Sequence, residues 1–439
     1  MRLVPDVLRV RAFRDLWLAS VASNAGSWLQ IVASGWLILK ATGSPAAVGA
    51  LALVTRAPAL ALAAAAGRLA DRHDRRLVGI WTFLLQAVAA AALAVITLTA
   101  GVQVWAIYLL TFVIGVGFAL GLPAMLALIP SLVPRRQLSQ AVSLNAAGIN
   151  VARLVGPAIG GLTLAFFGAT VCFALNALSF LALVLVLLAL PPQPAAAGSG
   201  GARMREALGA AMRDRALRRL LLGMALFTAL ASPIQELAPV VADRLDAGAG
   251  GLGLMLGAMG GGALVGAWML ERLGAAGMPR HRALPIASLS FSGGLMVVAL
   301  TPWFALGLAG MAFSGVFWIW MFAGTNTAIQ LLAPAPLLGR LLGLYQLSVI
   351  GPIAIGATLA GAVAERVGIE ATLAGCAALL AAWGAWSLRY PVMEIDHHEW
   401  SRTSGSLDEG GHRVEHPGGG PPVDLEEVPD AGDPQGPGR

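Results

Sequence analysis

Three ionisable side chains lie inside long apolar stretches of the sequence: Arg56, Arg153 and Glu236. Moving a charge to the centre of a lipid bilayer costs about 2.5–3.5 kcal/mol on insertion scales, so each residue needs a reason to be there. A guanidinium group can bind an anionic ligand, and a carboxylate in a cavity can carry a proton. Each residue also has a structural alternative. Arg153 can donate hydrogen bonds between helices, Arg56 can pair with a neighbouring helix, and Glu236 can be interfacial.

Polar side chains repeat at helical spacing in the first and seventh of these stretches. They are Ser23, Ser27, Gln30 and Ser34, and then Thr228, Ser232 and Gln235. Residues spaced in this way share one helix face, which predicts a polar cavity lining. The alternative is that small polar residues join packed helices. The predicted cavity and coupling residues are Gln30, Arg56, Arg153, Gln235, Glu236 and Asn326.

Apolar stretches of about 20 residues, long enough to cross a ~30 Å hydrocarbon core, must position these side chains. Twelve occur near 16–39, 45–66, 77–99, 103–127, 140–166, 169–190, 217–239, 250–271, 283–301, 303–330, 341–364 and 369–388. They predict an all-α membrane protein with twelve transmembrane helices in two pseudo-symmetric six-helix halves. The predicted domains are a half at 1–190, a cytoplasmic linker at 191–216, a half at 217–390 and a disordered acidic cytoplasmic tail at 391–439.

Composition and charge agree with a membrane protein. Hydrophobic residues make up 57% of the chain and charged residues 12%, against about 25% charged in globular domains, and the mean hydropathy is +0.76. The tail carries a net charge of −8 and the rest of the chain +14. A positive body around membrane spans indicates contact with anionic lipid, not with nucleic acid. Arg and Lys favour one side of the spans by 21 to 3, which predicts that both termini are cytoplasmic.

The segment 67–76 carries seven ionisable side chains in ten residues. So polar a run is excluded from hydrocarbon and predicts a short cytoplasmic loop between the second and third spans. Its pattern, Gly-x-Leu-Ala-Asp-Arg-x-x-Arg-Arg, resembles the loop 2–3 signature of the major facilitator superfamily of transporters, with Asp74 where that signature usually has Gly. The resemblance implies a tight turn at the glycine and a cytoplasmic gate formed by Gly67, Asp71, Arg72, Arg75 and Arg76.

Further runs between about residues 11 and 390 resemble the enterobactin-exporter-like branch of this superfamily. They include Gly26-Ser27-Trp28-Leu29-Gln30, Thr42-Gly43-Ser44-Pro45 and Gly156-Pro157-Ala158-Ile159-Gly160-Gly161. In the last run we expect a helix-packing motif made of Gly156, Pro157, Gly160 and Gly161. A related run, Gly-Pro-Ile-Ala-Ile-Gly, begins at 351 and supports an internal repeat. Thr111 stands where many proton-coupled drug exporters carry Arg, so their mechanism does not transfer directly.

Together these features predict a secondary transporter that exports a small molecule across the bacterial inner membrane by alternating access, driven by an ion gradient. The expected cargo is a siderophore-like, anionic or amphiphilic compound or drug, because two arginines face one carboxylate in the cavity. Protons are the candidate coupling ion. The alternatives are an importer or lipid flippase on the same fold, or a non-transporting receptor or scaffold. The sequence has no nucleophile–base pair or zinc-ligand spacing, so we expect no enzyme, no metal and no cofactor, and a monomer.

Overall fold

The computed structural model describes residues 6–193, 204–275, 280–334 and 337–389, and every regular element within these ranges is helical. The described residues all belong to one compact unit, Met1–Val392. The predicted all-α class is therefore confirmed. The α-helices are α1 (Arg11–Thr42), α2 (Pro45–Arg72), α3 (Arg75–Ala100), α4 (Val104–Leu132), α5 (Leu138–Ala189), α6 (Met204–Arg213), α7 (Arg215–Ala231), α8 (Pro233–Glu236), α9 (Ala238–Arg244), α10 (Gly248–Ala275), α11 (Arg280–Leu300), α12 (Phe304–Leu332), α13 (Leu338–Val367) and α14 (Ile369–Arg389).

Ten helical segments in the described residues are long and apolar enough to cross a membrane. One of them, Arg135–Ala189, spans 55 residues and contains two helices that meet at Gly168, where φ is +79°. Helix α1 has 32 residues and is also long enough to cross. Counting α1 and both arms of α5 gives the twelve predicted spans.

The seventh span was predicted as one helix over 217–239, but the structure divides it into three helices. Helix α7 ends at Ala231, and the short helices α8 and α9 follow it. Pro233 and Pro239 lie in the first turns of these two helices, where a missing N–H is tolerated but a continuing helix is not. Glu236 is therefore carried by a four-residue helix between two breaks.

The helices pack in two groups with the same internal arrangement. In the first group α1 packs on α5, α2 on α4, and α3 on both α4 and α5. In the second group α7 packs on α13, α10 on α12, and α11 on both α12 and α14. The two groups meet along α2 with α13 and along α5 with α10. The predicted domain boundaries remain predictions, and the tail at 391–439 and linker residues 194–203 lie outside the described residues.

Glycines allow the helix backbones to approach at these contacts. A Cβ added to Gly156 would lie 2.8 Å from Trp28 of α1, and one added to Gly160 would lie 3.1 Å from Leu29. On another face of α5, a Cβ on Gly161 would lie 2.3 Å from the Cα of Gly253 in α10. The predicted motif, with Pro157 inside the helix, thus joins α5 to α1 within one group and to α10 of the other.

In α13, Gly356 of the related run and Gly361, five residues after it, make comparable contacts. A Cβ on Gly356 would lie 2.1 Å from the carbonyl oxygen of Ala229 in α7. A Cβ on Gly361 would lie 3.1 Å from the Cα of Gly49 in α2. Each half thus has one glycine contact within a helix group and one between the groups, although Gly361 lies outside the repeated run.

Candidate functional site

Arg56 and Glu236 form an ion pair between the two helix groups. Arg56 projects from α2, and its Nη2 and Nη1 atoms donate to Oε1 and Oε2 of Glu236 at 2.6 and 3.2 Å. This two-point geometry is the strongest that a guanidinium and a carboxylate can adopt. The side chains are 26% and 14% exposed, so the pair borders open space and is not sealed in a core.

Arg153 lies near this pair without a partner of its own. It projects from α5, is solvent-exposed, and makes no hydrogen bond or ion pair with any residue in the described ranges. It interacts electrostatically with Arg56 and with Tyr345 of α13. The hydroxyl of Tyr345 donates to the carbonyl oxygen of Phe322 in α12 at 3.1 Å. The site therefore holds two guanidinium groups and one carboxylate.

This arrangement corrects the expectation that both arginines are uncompensated. Glu236 neutralises Arg56, so Arg153 alone supplies the surplus positive charge. The alternative that Arg56 pairs with a neighbouring helix is correct, and that helix belongs to the other group. Sequence reasoning missed Tyr345 altogether, since nothing in the spacing of α13 distinguishes it from a core aromatic residue.

Three of the four residues in the polar stripe of α1 lie buried between helices, and the fourth, Ser27, is half-buried and bonds to its own helix. Ser23, Gln30 and Ser34 are buried. The Gln30 Oε1 atom accepts a hydrogen bond from Nδ2 of Asn176 in the second arm of α5 at 2.6 Å. The prediction of Gln30 as a cavity residue is therefore wrong for this structure. Amide groups buried between helices need such partners, and this need explains the position of Gln30.

The stripe of α7 is also largely a packing feature. Thr228 and Ser232 are buried and donate to carbonyl oxygens of α13 at 3.2 and 3.5 Å. Gln235 is half-buried next to Glu236 and remains a candidate cavity residue.

Asn326 accepts a hydrogen bond from Gln330, four residues later in α12. No described contact brings Asn326 to the Arg56–Glu236 pair.

Polar contacts also join the two groups at one end of the bundle. We call this the far end, where α1 ends and α2 begins, and the opposite end the near end. Lys40 donates to Asp243, and Ser44 Oγ donates to Oε2 of Glu365 at 2.7 Å. These four residues, with the Gly49–Gly361 contact below them, are called the far gate. None of the four was predicted, because polar residues at span ends are common.

The predicted loop residues lie at the near end, and two of them hold neighbouring helices. Arg76 donates to the carbonyl oxygens of Leu187 and Leu188 at 2.8 Å each, and Arg75 donates to Ala127 O at 3.2 Å. Asp74 caps α3 by accepting from the Arg76 N–H at 2.8 Å. These bonds lie within the first helix group, so Arg75 and Arg76 hold its near end together in this state.

Asp71 and Arg72 are exposed and make no hydrogen bond or ion pair with a described residue.

The expectation of a tight turn at Gly67 is wrong, because Gly67 lies inside α2 and the loop contains only His73 and Asp74. A Cβ on Gly67 would meet nothing within 4 Å, and the same is true of Gly339 in the first turn of α13. Helices α2 and α13 thus touch at the far end and are uncrowded at the near end.

A family model described as a transmembrane secretion effector matches residues 4–409. The chain belongs to this family of major facilitator transporters. It is 30% identical over 362 residues to the enterobactin exporter EntS of Shigella boydii, covering 80% of this chain and 84% of that protein. The enterobactin exporter EntS of Escherichia coli matches with the same identity and coverage.

Solved transporters share the fold at low sequence identity. The nucleoside transporter NupG superposes with a TM-score of 0.67 at 14% identity, covering 86% of this chain and 99% of that chain. A bacterial homolog of the human lysosomal transporter Spinster, in an inward-facing and unoccupied conformation, gives 0.68 at 13% identity, covering 88% and 98%. The protein is therefore a multi-pass membrane transporter that exports a small molecule, and the importer, flippase and scaffold alternatives are not favoured.

Proposed function

We propose that the protein exports an anionic or phenolic amphiphile, whose acidic group binds Arg153 midway through the bundle. The observation that carries this proposal is the surplus charge of the site. Arg153 has no partner among the described residues, and the one nearby carboxylate is held by Arg56. An anionic group can accept charge-assisted hydrogen bonds from Arg153 while its apolar part packs on apolar helix walls.

A cationic cargo would meet the opposite situation. Arg153 would repel the cation, and the nearby carboxylate of Glu236 is already paired with Arg56. The similarity to enterobactin exporters adds siderophore-like compounds to the candidate cargoes. Acidic amphiphiles are therefore the class to test first.

We propose that the near end faces the cytoplasm of a bacterial cell and that the protein is a monomer in the inner membrane. The excess of Arg and Lys on this side of the spans, 21 to 3, supports the orientation. The structure then corresponds to a state with its far gate closed on the outside. In the opposite state we expect Asp71 and Arg72 to pair across the near end, with Gly67 allowing close approach.

This near-gate proposal has a direct test. Replacing Asp71 by Asn should impair turnover, because it removes charge needed only when the near end closes. Folding and insertion should stay near normal, since Asp71 makes no hydrogen bond or ion pair with a described residue in the present state. Wild-type transport rates for Asp71→Asn in purified vesicles would contradict this role.

If protons drive export, Glu236 is the residue that carries them. The other described carboxylates lie near the ends of helices or in loops, whereas Glu236 borders the central site. In proteoliposomes with an imposed pH gradient, Glu236→Gln should abolish gradient-driven transport. Unchanged transport would remove Glu236 from the coupling mechanism.

The cargo proposal is tested with two fluorescent probes of opposite charge, carboxyfluorescein and ethidium, in inside-out vesicles. We expect transport of the anion by the wild type and a loss of at least about tenfold in Arg153→Gln, equal to 1.4 kcal/mol of binding free energy. The matched control is Arg136→Gln, which removes an exposed arginine outside the spans. A clear wild-type preference for ethidium that Arg153→Gln leaves untouched would refute the proposal.

A further inference from the structure

We propose that the acidic group of the cargo takes the place of Glu236 on Arg56, and that this exchange releases the far gate. The inference rests on the proposed anionic cargo and adds a mechanism that links loading to gate opening. Its basis is that one guanidinium group both borders the cargo site and holds the two helix groups together.

The Arg56–Glu236 pair is one of several contacts that α2 makes with the second helix group. Ser44 bonds to Glu365 at the far end, Gly49 packs on Gly361 one turn further in, and Arg56 follows two turns later. At 1.5 Å per residue these contacts extend over about 18 Å of α2. The far end of α2 therefore cannot separate from the second group until Arg56 releases Glu236.

The position of Arg56 makes the exchange chemically direct. Its side chain is 26% exposed, so an incoming acid can reach it without unfolding the site. Arg153 lies close enough to interact electrostatically with Arg56 and would hold the acid beside the pair. Glu236 occupies the edge of the guanidinium formed by Nη1 and Nη2, so a cargo carboxylate that binds this same edge in two-point geometry must displace Glu236.

Charge and backbone structure both allow Glu236 to leave. With a monoanion bound, two guanidinium groups face two anionic groups, so the exchange leaves no surplus charge in the site. Glu236 ends a four-residue helix that is separated from α7 by Ser232 and from α9 by Leu237. Because the helix is broken on both sides, Glu236 can move without displacing a continuous span.

The test measures the far gate directly by the distance between two spin labels. Cys172 and Cys376, the two natural cysteines, are first replaced by alanine. Labels are then attached to Ala41→Cys in α1 and Arg366→Cys in α13, which are exposed positions on opposite sides of the gate. We expect carboxyfluorescein to increase a longer-distance population in the wild type. Ethidium should not.

Two variants isolate the role of the pair. Glu236→Gln and Arg56→Gln should each raise the ratio of open to closed gates about tenfold without a probe, as expected for loss of a partly exposed two-point ion pair. Arg56→Gln should also abolish the response to carboxyfluorescein. The matched control is Glu370→Gln, which weakens a partly exposed contact with Arg244 inside the second group and should leave the distances unchanged.

A wild-type distance distribution in both variants would overturn the proposal. So would a wild-type gate that ignores carboxyfluorescein while vesicles export this anion in an Arg153-dependent manner. That second result would leave the proposed function intact, since it shows anion transport without exchange on Arg56. Failure of the proposed function is recognised separately, by preference for ethidium in the vesicle assay.

Discussion

Replacing Gly49 by alanine is expected to shift the transporter away from the state described here. A Cβ at Gly49 would lie 2.5 Å from the carbonyl oxygen of Ala357 and 3.1 Å from the Cα of Gly361. Both atoms belong to helix backbone, which cannot move aside as the end of a flexible side chain can. Overpacking of this kind costs about 1–3 kcal/mol, which changes a two-state equilibrium about 5- to 150-fold.

The penalty applies only while the far gate is closed. Alanine also stabilises a helix interior relative to glycine by about 0.5–1 kcal/mol. That gain cancels between the two states, because α2 moves as a helix in both. Gly67→Ala is the matched control, since it brings the same gain in the same helix but meets nothing within 4 Å in the present state.

The assay is the distance between labels at Ala41→Cys and Arg366→Cys. Gly49→Ala should convert most of the closed population to the longer distance, whereas Gly67→Ala should keep or increase the closed population. Transport should fall in Gly49→Ala because the far gate no longer closes efficiently. If Gly49→Ala keeps the closed distances of the wild type, the helices separate at negligible cost and the reasoning fails.

Two further predictions concern stability, measured by thermal unfolding in detergent. Arg76→Gln should cost about 1–3 kcal/mol, because two helix-end carbonyl oxygens lose a charged donor, whereas Arg72→Gln should change stability by less than about 0.5 kcal/mol. Equal effects of the two changes would show that the bonds of Arg76 contribute nothing. Gln30→Leu should cost about 1–3 kcal/mol by leaving the buried Asn176 amide without its acceptor, and Ser27→Ala, on the same helix, should be nearly neutral. A neutral Gln30→Leu would show that the hydrogen bond between Gln30 and Asn176 contributes nothing to stability.

Much of the fold was predictable because a bilayer imposes a strict requirement on the sequence. Each crossing needs about twenty apolar residues whose backbone groups are hydrogen-bonded within the helix, and apolar stretches of this length can be recognised in the sequence. The break at Gly168 was also visible, as the gap between two predicted spans. The interruption after Ala231 was not, because the residues around Pro233 are apolar enough to continue a hydropathy segment.

The candidate site was less predictable, because helical periodicity identifies a face but not what the face contacts. Gln30 has the same spacing whether it lines a cavity or bonds to Asn176. Arg56 and Glu236 were recognised as costly charges, but they are 180 residues apart and no local pattern joins them. The far gate has the same difficulty, since Ser44 and Glu365 are separated by 321 residues.

The weakness of the individual gate contacts is suited to alternating access. Exposed ion pairs such as Lys40–Asp243, which joins α1 to α9, are worth about 0–1 kcal/mol each, so the polar contacts at the far end are individually weak. Moving a two-state equilibrium from 1:99 to 99:1 takes about 5.5 kcal/mol of differential binding. A gate much stronger than this would not open on cargo binding. Because α2 carries Gly49 toward one end and Gly67 toward the other, we expect a tilt of this helix that opens the far end to bring its near end toward α13.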